Sequence, residues 1–265
     1  MRAHLFAPLF ALYVTCATAT PAGWEFDPAW TIVEGGITRG STASREIALV
    51  FTGGDHGEGA STILDTLREH GIRAAFFVTG AFVSREEHHP LLRRMVDEGH
   101  YVGPHSHAHP LYASWDDRSQ TLVSEEFFRQ DLQRNIDELR AFGAMAGPGP
   151  IYFIPPSEWY NREQVDWARE IGVVLINFTP GSGSNRDWAP ESHASFMSSE
   201  AILQGILDFE QREERGLNGF LLLLHLGSQR QDKMHPLFPR LVTTLQERGY
   251  RFVRVDELLP FAPCD

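Results

Sequence analysis

The sequence has 265 residues, of which 42% are hydrophobic and 22% are charged, with ordinary amounts of Gly and Pro. This composition is typical of a folded globular protein and excludes a disordered chain, a collagen-like chain and a disulfide scaffold. The formal net charge of -12 argues against nucleic acid as a partner, because neutralising phosphates requires clustered Lys and Arg.

The amino-terminal segment has the pattern of an export signal. Arg2 lies near the start, an apolar run covers residues 5–16, and small residues follow at 17–19. The apolar run is shorter than the ~20 residues that a membrane-spanning helix needs. We therefore predict a signal peptide over residues 1–19, no transmembrane span, and a mature chain that is periplasmic or extracellular. A buried amino-terminal helix is the alternative, but no capping residue or amphipathic period supports it.

From residue 45 onward, short apolar runs alternate with longer amphipathic segments, which is the pattern of repeated strand–helix units and a largely parallel sheet. The predicted strands lie at 47–51, 74–78, 101–103, 151–154, 173–178, 220–224 and 251–255. The predicted helices lie at 60–70, 90–98, 124–142, 161–171, 199–214 and 236–248.

About seven parallel strands, with no linker between them, predict an α/β fold: a single distorted (β/α) barrel over residues 45–262. Residues 20–44 are rich in Thr, Ser, Ala and Gly and are interpreted as a lead-in segment that packs over the barrel. In βα barrels the functional groups lie on loops after the carboxyl ends of the strands. The polar clusters of this sequence fall in such loops.

A histidine-rich segment directly follows the third predicted strand. Residues 105–109 read His-Ser-His-Ala-His, and neutral imidazole is the commonest protein ligand for zinc-like metals. The spacing allows His105 and His109 to share one cation. The alternative is a polar surface loop that is rich in histidine by chance.

Two further groups follow buried strands. The Gly-rich loop after the first strand carries Asp55 and Glu58, and a carboxylate there can be a metal ligand or a general base. His225 ends the apolar run 220–224, a position suited to a general acid. A flexible polar turn and a core histidine are the respective alternatives.

Aromatic residues beside carboxylates follow the fourth strand and recur in a later polar loop. Exposed Trp and Tyr in such surroundings stack on sugar rings, although each is more often simple packing. The candidate substrate-binding residues are Trp159, Tyr160, Asp187 and Trp188.

These segments, in this order, resemble the polysaccharide deacetylases that share the NodB homology domain, also called carbohydrate esterase family four. The resemblance runs over residues 47–259. The matching motifs are Ala48-Leu49-Val50-Phe51 for the first strand, His105-Ser106-x-x-His109 for the H-[ST]-x-x-H metal motif after Gly99-His100, Asn185-Arg186-Asp187-Trp188 for the D-W motif, Leu223-Leu224-His225 for the L-x-H motif, and Gly249 to Leu258 for the closing strand.

The resemblance implies removal of an acetyl group from an acetylated oligo- or polysaccharide, as the amide of an N-acetyl group or the ester of an O-acetyl group. In the family, one Asp and two His hold a divalent metal, an Asp acts as base and a His as acid. It implies that His105 and His109 are metal ligands and that His225 is the general acid. A site of two His and one carboxylate suits zinc, and cobalt, nickel or manganese would also fit.

The first motif departs from the family. The base Asp and the metal-binding Asp of its F-D-D-G motif correspond to Thr52 and Gly53, and the Arg of its R-P-P motif corresponds to Ile154. The base and the residue that orients it are therefore both replaced, which suggests a rebuilt site.

We predict Asp55 as the replacement metal ligand and Glu58 or Glu158 as the replacement base. Glu158 lies in the loop that lost the Arg, where Pro155, Pro156 and Trp159 would raise its pKa. Two competing hypotheses remain: a catalytically inactive carbohydrate-binding protein that keeps the deacetylase fold, and a structural barrel with surface histidines.

Overall fold

A computed structural model describes residues 25–147 and 149–261. The predicted signal peptide, residues 1–19, lies outside these residues. Nine strands occur in the described part of the chain: β1 (Thr31–Val33), β2 (Gly36–Arg39), β3 (Glu46–Gly53), β4 (Ala75–Val78), β5 (Tyr101–Pro104), β6 (Ile151–Phe153), β7 (Val173–Leu175), β8 (Phe220–His225) and β9 (Arg251–Phe252).

The main sheet has the order β1-β2-β8-β3-β4-β5, with β9 paired to β3, and β6 and β7 form a second parallel pair. Contacts at both edges link this pair to the sheet, among them a hydrogen bond from Ile154 N to Pro104 O at 3.4 Å and a parallel bridge between Ile37 and Ile176. The sheet is therefore curled on itself. This confirms the predicted α/β fold, a distorted barrel of largely parallel strands.

The lead-in segment differs from its prediction, because it contributes strands to the sheet. β1 and β2 form an antiparallel hairpin, and β2 pairs with β8 through Arg39 and Phe220. Strands of three and four residues are too short to show a period of two in the sequence.

Eight α-helices occur in the described ranges: α1 (Ala60–Glu69), α2 (Gly80–Ser84), α3 (His89–Asp97), α4 (Glu125–Arg140), α5 (Arg162–Glu170), α6 (Ser199–Arg212), α7 (Phe238–Glu247) and α8 (Val255–Leu258). Ser124 is the N-cap of α4, since its Oγ accepts a hydrogen bond from Phe127 N at 3.2 Å. None of the helices in these ranges is long and apolar enough to cross a membrane.

The central strand β3 is buried on both faces. Ile47, Leu49 and Phe51 pack into the layer that holds the surrounding helices, whereas Ala48 and Val50 face the inside of the curled sheet. Successive strand residues point to opposite faces, so a strand covered on both sides is apolar throughout. The parallel register places Thr52 of β3 beside His225 of β8, and this fixes where the polar loops begin.

Replacing Phe51 with Ala tests the role of this strand. Its ring is fully buried and lies 5.2 Å from the Phe76 ring and 5.5 Å from the Phe238 ring. We expect Phe51→Ala to lower the free energy of unfolding by about 3–5 kcal/mol, since it leaves a cavity. Urea denaturation followed by circular dichroism measures this change.

The matched control is Phe127→Ala, because Phe127 is 41% exposed on α4 and should change stability by no more than about 0.5 kcal/mol. Equal losses for the two variants would contradict the assignment of β3 as the structural centre.

Candidate active site

A cavity of about 960 Å³ opens at the carboxyl ends of β3, β5 and β8. Residues from seven separate segments line it, including Thr52, His105, His109, Glu158, Trp188 and His225. The curled sheet thus brings together the histidine-rich loop, the end of β8 and the loop after β6, as expected for the carboxyl edge of parallel strands.

His105 immediately follows β5 and is buried. Its Nδ1 lies 2.8 Å from Ile154 O, a contact that requires the proton on Nδ1 and leaves the Nε2 lone pair free. Burial, and next the neighbouring His109, hold the pKa of His105 well below its ordinary value. The ring is therefore neutral, which is the form that binds metals.

The side chain of Asp131 on α4 holds the histidine-rich loop. Its Oδ2 accepts hydrogen bonds from Ser106 Oγ at 2.5 Å and His107 N at 2.9 Å, and its Oδ1 accepts one from Ala108 N at 2.8 Å. Ser106 and His109 have left-handed backbone conformations, with φ of 71° and 54°. Non-glycine residues in that region need surrounding contacts to hold them. Asp131 provides one for Ser106, whose Oγ in turn accepts a hydrogen bond from His109 N at 3.0 Å.

The sequence analysis missed Asp131 and its neighbour Asn135, whose Oδ1 accepts a hydrogen bond from His105 N at 2.9 Å. A signal was present, because both polar residues lie on the face of α4 that buries Phe128, Leu132 and Ile136. Buried polar side chains are hydrogen-bonded, and the neighbouring loop supplies their partners.

Two of the three loop histidines lie side by side. The rings of His105 and His109 are 5.0 Å apart between centroids, and partial desolvation lowers the pKa of His109. His107 faces elsewhere, with its Nδ1 2.9 Å from Glu138 Oε2. The pair that resembled the metal motif is thus brought together.

His225 is held by Asp187. Asp187 Oδ1 lies 2.6 Å from His225 Nδ1, and its Oδ2 accepts a hydrogen bond from His225 N at 2.8 Å. Burial disfavours the imidazolium, but the Asp187 carboxylate outweighs it and raises the pKa of His225. Asp187, predicted as a substrate contact, is itself buried and serves to orient this imidazole.

Glu158 lies beside His105, with 3.9 Å between Glu158 Oε1 and His105 Nε2. Its side chain is only 10% exposed, and burial raises the pKa of its carboxyl group. No hydrogen-bond donor within the residues that the structure describes contacts this carboxylate. The backbone is left-handed at both Ser157 and Glu158.

The other two candidate carboxylates are engaged elsewhere. Asp55 borders the cavity, but its side chain is 67% exposed and forms an ion pair with Arg85 at 3.1 Å. Glu58 Oε1 lies 2.5 Å from Lys233 Nζ and accepts a hydrogen bond from Ser228 N at 3.0 Å. Burial opposes ionisation of Glu58, but these contacts outweigh it and lower its pKa.

The positions of the missing Asp pair have apolar surroundings. Thr52 Oγ1 is buried and has no hydrogen-bond partner among the described residues. A Cβ atom at Gly53 would lie 2.8 Å from Leu226 Cδ1, 3.1 Å from Phe82 Cδ2 and 3.2 Å from Val78 Cγ1. The space that a side chain at Gly53 would enter is thus already filled.

The histidine pair fits a divalent cation. Two imidazoles that bind one ion at Zn–N distances of about 2.0–2.1 Å have ring centroids roughly 5 Å apart, as His105 and His109 do. In residues 25–147 and 149–261, no three His, Cys, Asp or Glu side chains are already gathered at ligand distance. A third ligand would therefore have to move toward the pair.

An aromatic platform borders the cavity. The rings of Trp115 and Trp159 stack at 5.0 Å with an interplanar angle of 27°, and Trp115 is 60% exposed. The Arg118 guanidinium lies 4.4 Å from the Trp159 ring centroid. Trp115 was missed in the sequence, although an exposed Trp in a polar loop was a usable signal.

The remaining two aromatic candidates have different positions. Trp188 is partly exposed and lines the cavity. Tyr160 lies in the core, where its hydroxyl donates a hydrogen bond to Val33 O at 2.8 Å. Trp188 thus borders the cavity, whereas Tyr160 does not.

Neutral histidines, a buried carboxylate and an Asp-oriented imidazole around one cavity define a hydrolase-like site on an α/β sheet. The sequence profile described as Polysaccharide deacetylase matches residues 39–176, more than half of the chain. The chain belongs to the polysaccharide deacetylase family, as the motifs predicted.

Individual relatives agree with this assignment. The peptidoglycan-N-acetylglucosamine deacetylase of Bacillus cereus is 26% identical over 215 residues, which cover 80% of this chain and 68% of that protein. PdaA of Bacillus subtilis, a family 4 carbohydrate esterase, has a TM-score of 0.67 at 21% identity and covers 89% of this chain and 95% of its own. A family 4 pseudoenzyme from Bacillus anthracis has a TM-score of 0.66 at 22% identity, and the match covers 86% of this chain and 69% of the pseudoenzyme.

The contact between Asp187 and His225 leads to a prediction about the pKa of His225. Asp187→Asn removes the charge that raises the pKa of His225, so this pKa should fall below its wild-type value. A group with a raised pKa stabilises the fold below its unfolded value of about 6.5, and this stabilisation is lost as pH rises through the folded pKa. NMR titration of the imidazole nitrogens measures the pKa directly.

Asp256→Asn is the control for this titration. Asp256 lies on α8 and forms its ion pair with Arg254, so its replacement should leave the pKa of His225 unchanged. An unchanged His225 titration in Asp187→Asn would contradict the assigned contact.

Proposed function

We propose that this protein is an exported, metal-dependent hydrolase that removes acetyl groups from a carbohydrate. The observation that carries the proposal is the arrangement of the His225–Asp187 couple and the His105–His109 pair around one cavity. Membership of the family supports the reaction class, and the signal-like segment 1–19 supports export.

His225 is the proton donor of the proposed reaction. Asp187 occupies Nδ1 and fixes the ring, so Nε2 is the atom available to the substrate. Because its pKa is raised, the imidazolium is accessible near neutral pH, where a general acid is most effective. It protonates the amine nitrogen or alcohol oxygen of the sugar as the bond to the acetyl group breaks.

His105 and His109 are the residues that would hold the cation, and enzymes of this family are generally metal-dependent. With a cation bound there, the acetyl carbonyl would be polarised and the pKa of a water molecule would be lowered. Zinc suits imidazole ligands with open positions. Two carboxylates were predicted as bases. Glu58 is held in an ion pair with Lys233, whereas Glu158 lies in the cavity, with its Oε1 3.9 Å from His105 Nε2.

A non-catalytic carbohydrate-binding protein is the second candidate, and one observation favours it. Both family Asp positions are replaced, and the volume beside Gly53 is closed by Leu226, Phe82 and Val78. Such a protein would bind glycans at the Trp platform without releasing acetate.

Acetate release tests the two functions. We expect the mature chain to release acetate from N-acetylglucosamine oligomers, peptidoglycan or acetylated xylan, and a chelator to abolish this release. His225→Gln should lower turnover roughly 100-fold to 10,000-fold, because it removes the general acid. His70→Gln is the control, since His70 lies at the end of α1 beside Gln246.

Glycan binding without acetate release on any of these substrates would favour the binding protein. Full turnover in His225→Gln would contradict the proposed acid.

The aromatic platform makes a separate prediction. If a sugar ring stacks on Trp115, then Trp115→Ala should raise KM for oligosaccharides about 2-fold to 12-fold with little change in kcat, as a stacking loss of about 0.5–1.5 kcal/mol implies. Steady-state kinetics on a chain-length series measures the effect. Phe127→Ala removes an exposed aromatic ring outside the cavity and should leave KM unchanged. Equal changes in KM for the two variants would exclude the Trp platform as a sugar-binding surface.

A further inference from the structure

We propose that Glu158 is the third ligand of the cation site and replaces the carboxylate that the family carries at the position of Gly53. This inference rests on the proposed function and deepens it. The ligand would come from the loop after β6 instead of the loop after β3. The assignment differs from the sequence-based prediction, in which Asp55 bound the metal and Glu158 was a candidate base.

The distance between the donors supports this role. Glu158 Oε1 lies 3.9 Å from His105 Nε2. Two donors bound to one zinc ion at about 2.0–2.2 Å lie roughly 3–3.5 Å apart. A shift of less than about 1 Å, which a side-chain rotation supplies, would bring both to ligand distance.

Neither Glu158 Oε1 nor His105 Nε2 has a hydrogen-bond partner among the residues that the structure describes. The hydrogen bond to Ile154 O uses His105 Nδ1, which directs the Nε2 lone pair away from the backbone. In the described part of the chain no hydrogen bond reaches the Glu158 carboxylate. Both residues line the cavity, so the carboxylate and the imidazole lone pair are available to a cation that enters it.

The backbone around Glu158 is specialised. Ser157 has φ of 58° and Glu158 has φ of 52°, a region that non-glycine residues seldom occupy. Two hydrogen bonds maintain it: Glu158 N donates to Pro155 O at 3.0 Å, and Asn177 Nδ2 donates to Glu158 O at 2.7 Å. A strained, well-held residue beside a polar cavity points to a functional side chain.

Other carboxylates are less suitable. Asp55 would have to leave Arg85 and give up a position that is 67% exposed. Glu58 would have to break its ion pair with Lys233. Asp187 is already committed to His225 through both of its oxygens.

With Glu158 as ligand, no carboxylate base among the described residues remains beside the histidine pair, so His225 would serve both proton transfers. It would start from the neutral imidazole, which coexists with the imidazolium near its pKa. Neutral His225 Nε2 accepts a proton from water as the water oxygen bonds to the acetyl carbon. The carbon–nitrogen or carbon–oxygen bond to the sugar then breaks, and His225 returns the same proton to the departing amine or alcohol. Acetate and the free sugar group are the products, and no oxidant or further reactant is required.

Zinc affinity tests this assignment independently of turnover. Zinc titrated into the chelator-treated mature chain should bind at one ion per chain, and Glu158→Gln should weaken this binding roughly 100-fold or more, since loss of even an outer partner costs 10-fold to 100-fold. Glu58→Gln and Asp55→Asn are matched carboxylate-to-amide controls and should retain wild-type affinity. Circular dichroism checks that each variant is folded.

Glu158→Cys provides a second readout that does not depend on loss of binding. A thiolate is a good ligand for zinc and cobalt, so this variant should bind Co²⁺ and acquire a sulfur-to-cobalt charge-transfer band that the wild type lacks. Absence of the band in a folded, cobalt-loaded variant would overturn the proposal.

The remaining outcomes also decide the question. Wild-type zinc affinity in Glu158→Gln together with lost turnover would make Glu158 the base and overturn its role as ligand. Weak binding in Asp55→Asn alone would assign the ligand to Asp55. Absence of zinc binding in the wild type would overturn the proposal, whereas Glu158-dependent zinc binding without acetate release would uphold it and reject the hydrolase function.

Discussion

The parallel pairing of β3 with β8 is the constraint on which the rest of this molecule depends. Both strands are apolar and covered on two faces, so their register cannot slip without exposing buried side chains. That register places Thr52 beside His225. The neighbouring pairings of β4 with β3 and β5 then set the start of the histidine-rich loop.

Burial near this edge controls the electrostatics of the site. Polar groups that leave water need partners, and most of those around the cavity have them: Asp187 pairs with His225, and Asp131 binds the loop that carries His105 and His109. Thr52 Oγ1 and the Glu158 carboxylate are exceptions, and Glu158 is the charged one: its side chain is only 10% exposed and lacks a hydrogen-bond donor in the described ranges. The histidines of the site are therefore held in place by hydrogen bonds, whereas the Glu158 carboxylate still lacks a binding partner within those ranges.

Local patterns were sufficient to predict much of this arrangement. The apolar runs predicted β3 and β8, and the histidine at the end of β8 was recognised as a candidate for that reason. Partners that lie far away in sequence were not predictable, because the contacts of Asp131 with residue 106 and of Asp187 with residue 225 depend on the tertiary path of the chain. Tyr160 illustrates the same point, since its hydroxyl is bound by Val33 in a hairpin too short to recognise.

The packing around Gly53 has an evolutionary consequence. The first atom of any side chain at this position would lie closer to Leu226, Phe82 and Val78 than the ordinary carbon–carbon contact of about 3.5–4.0 Å. Restoring the family aspartate therefore requires repacking of the surrounding apolar side chains as well. Gly53 and its hydrophobic surroundings thus form an epistatic unit, in which acquisition of Asp at residue 53 is opposed unless the side chains of Leu226, Phe82 and Val78 shift with it.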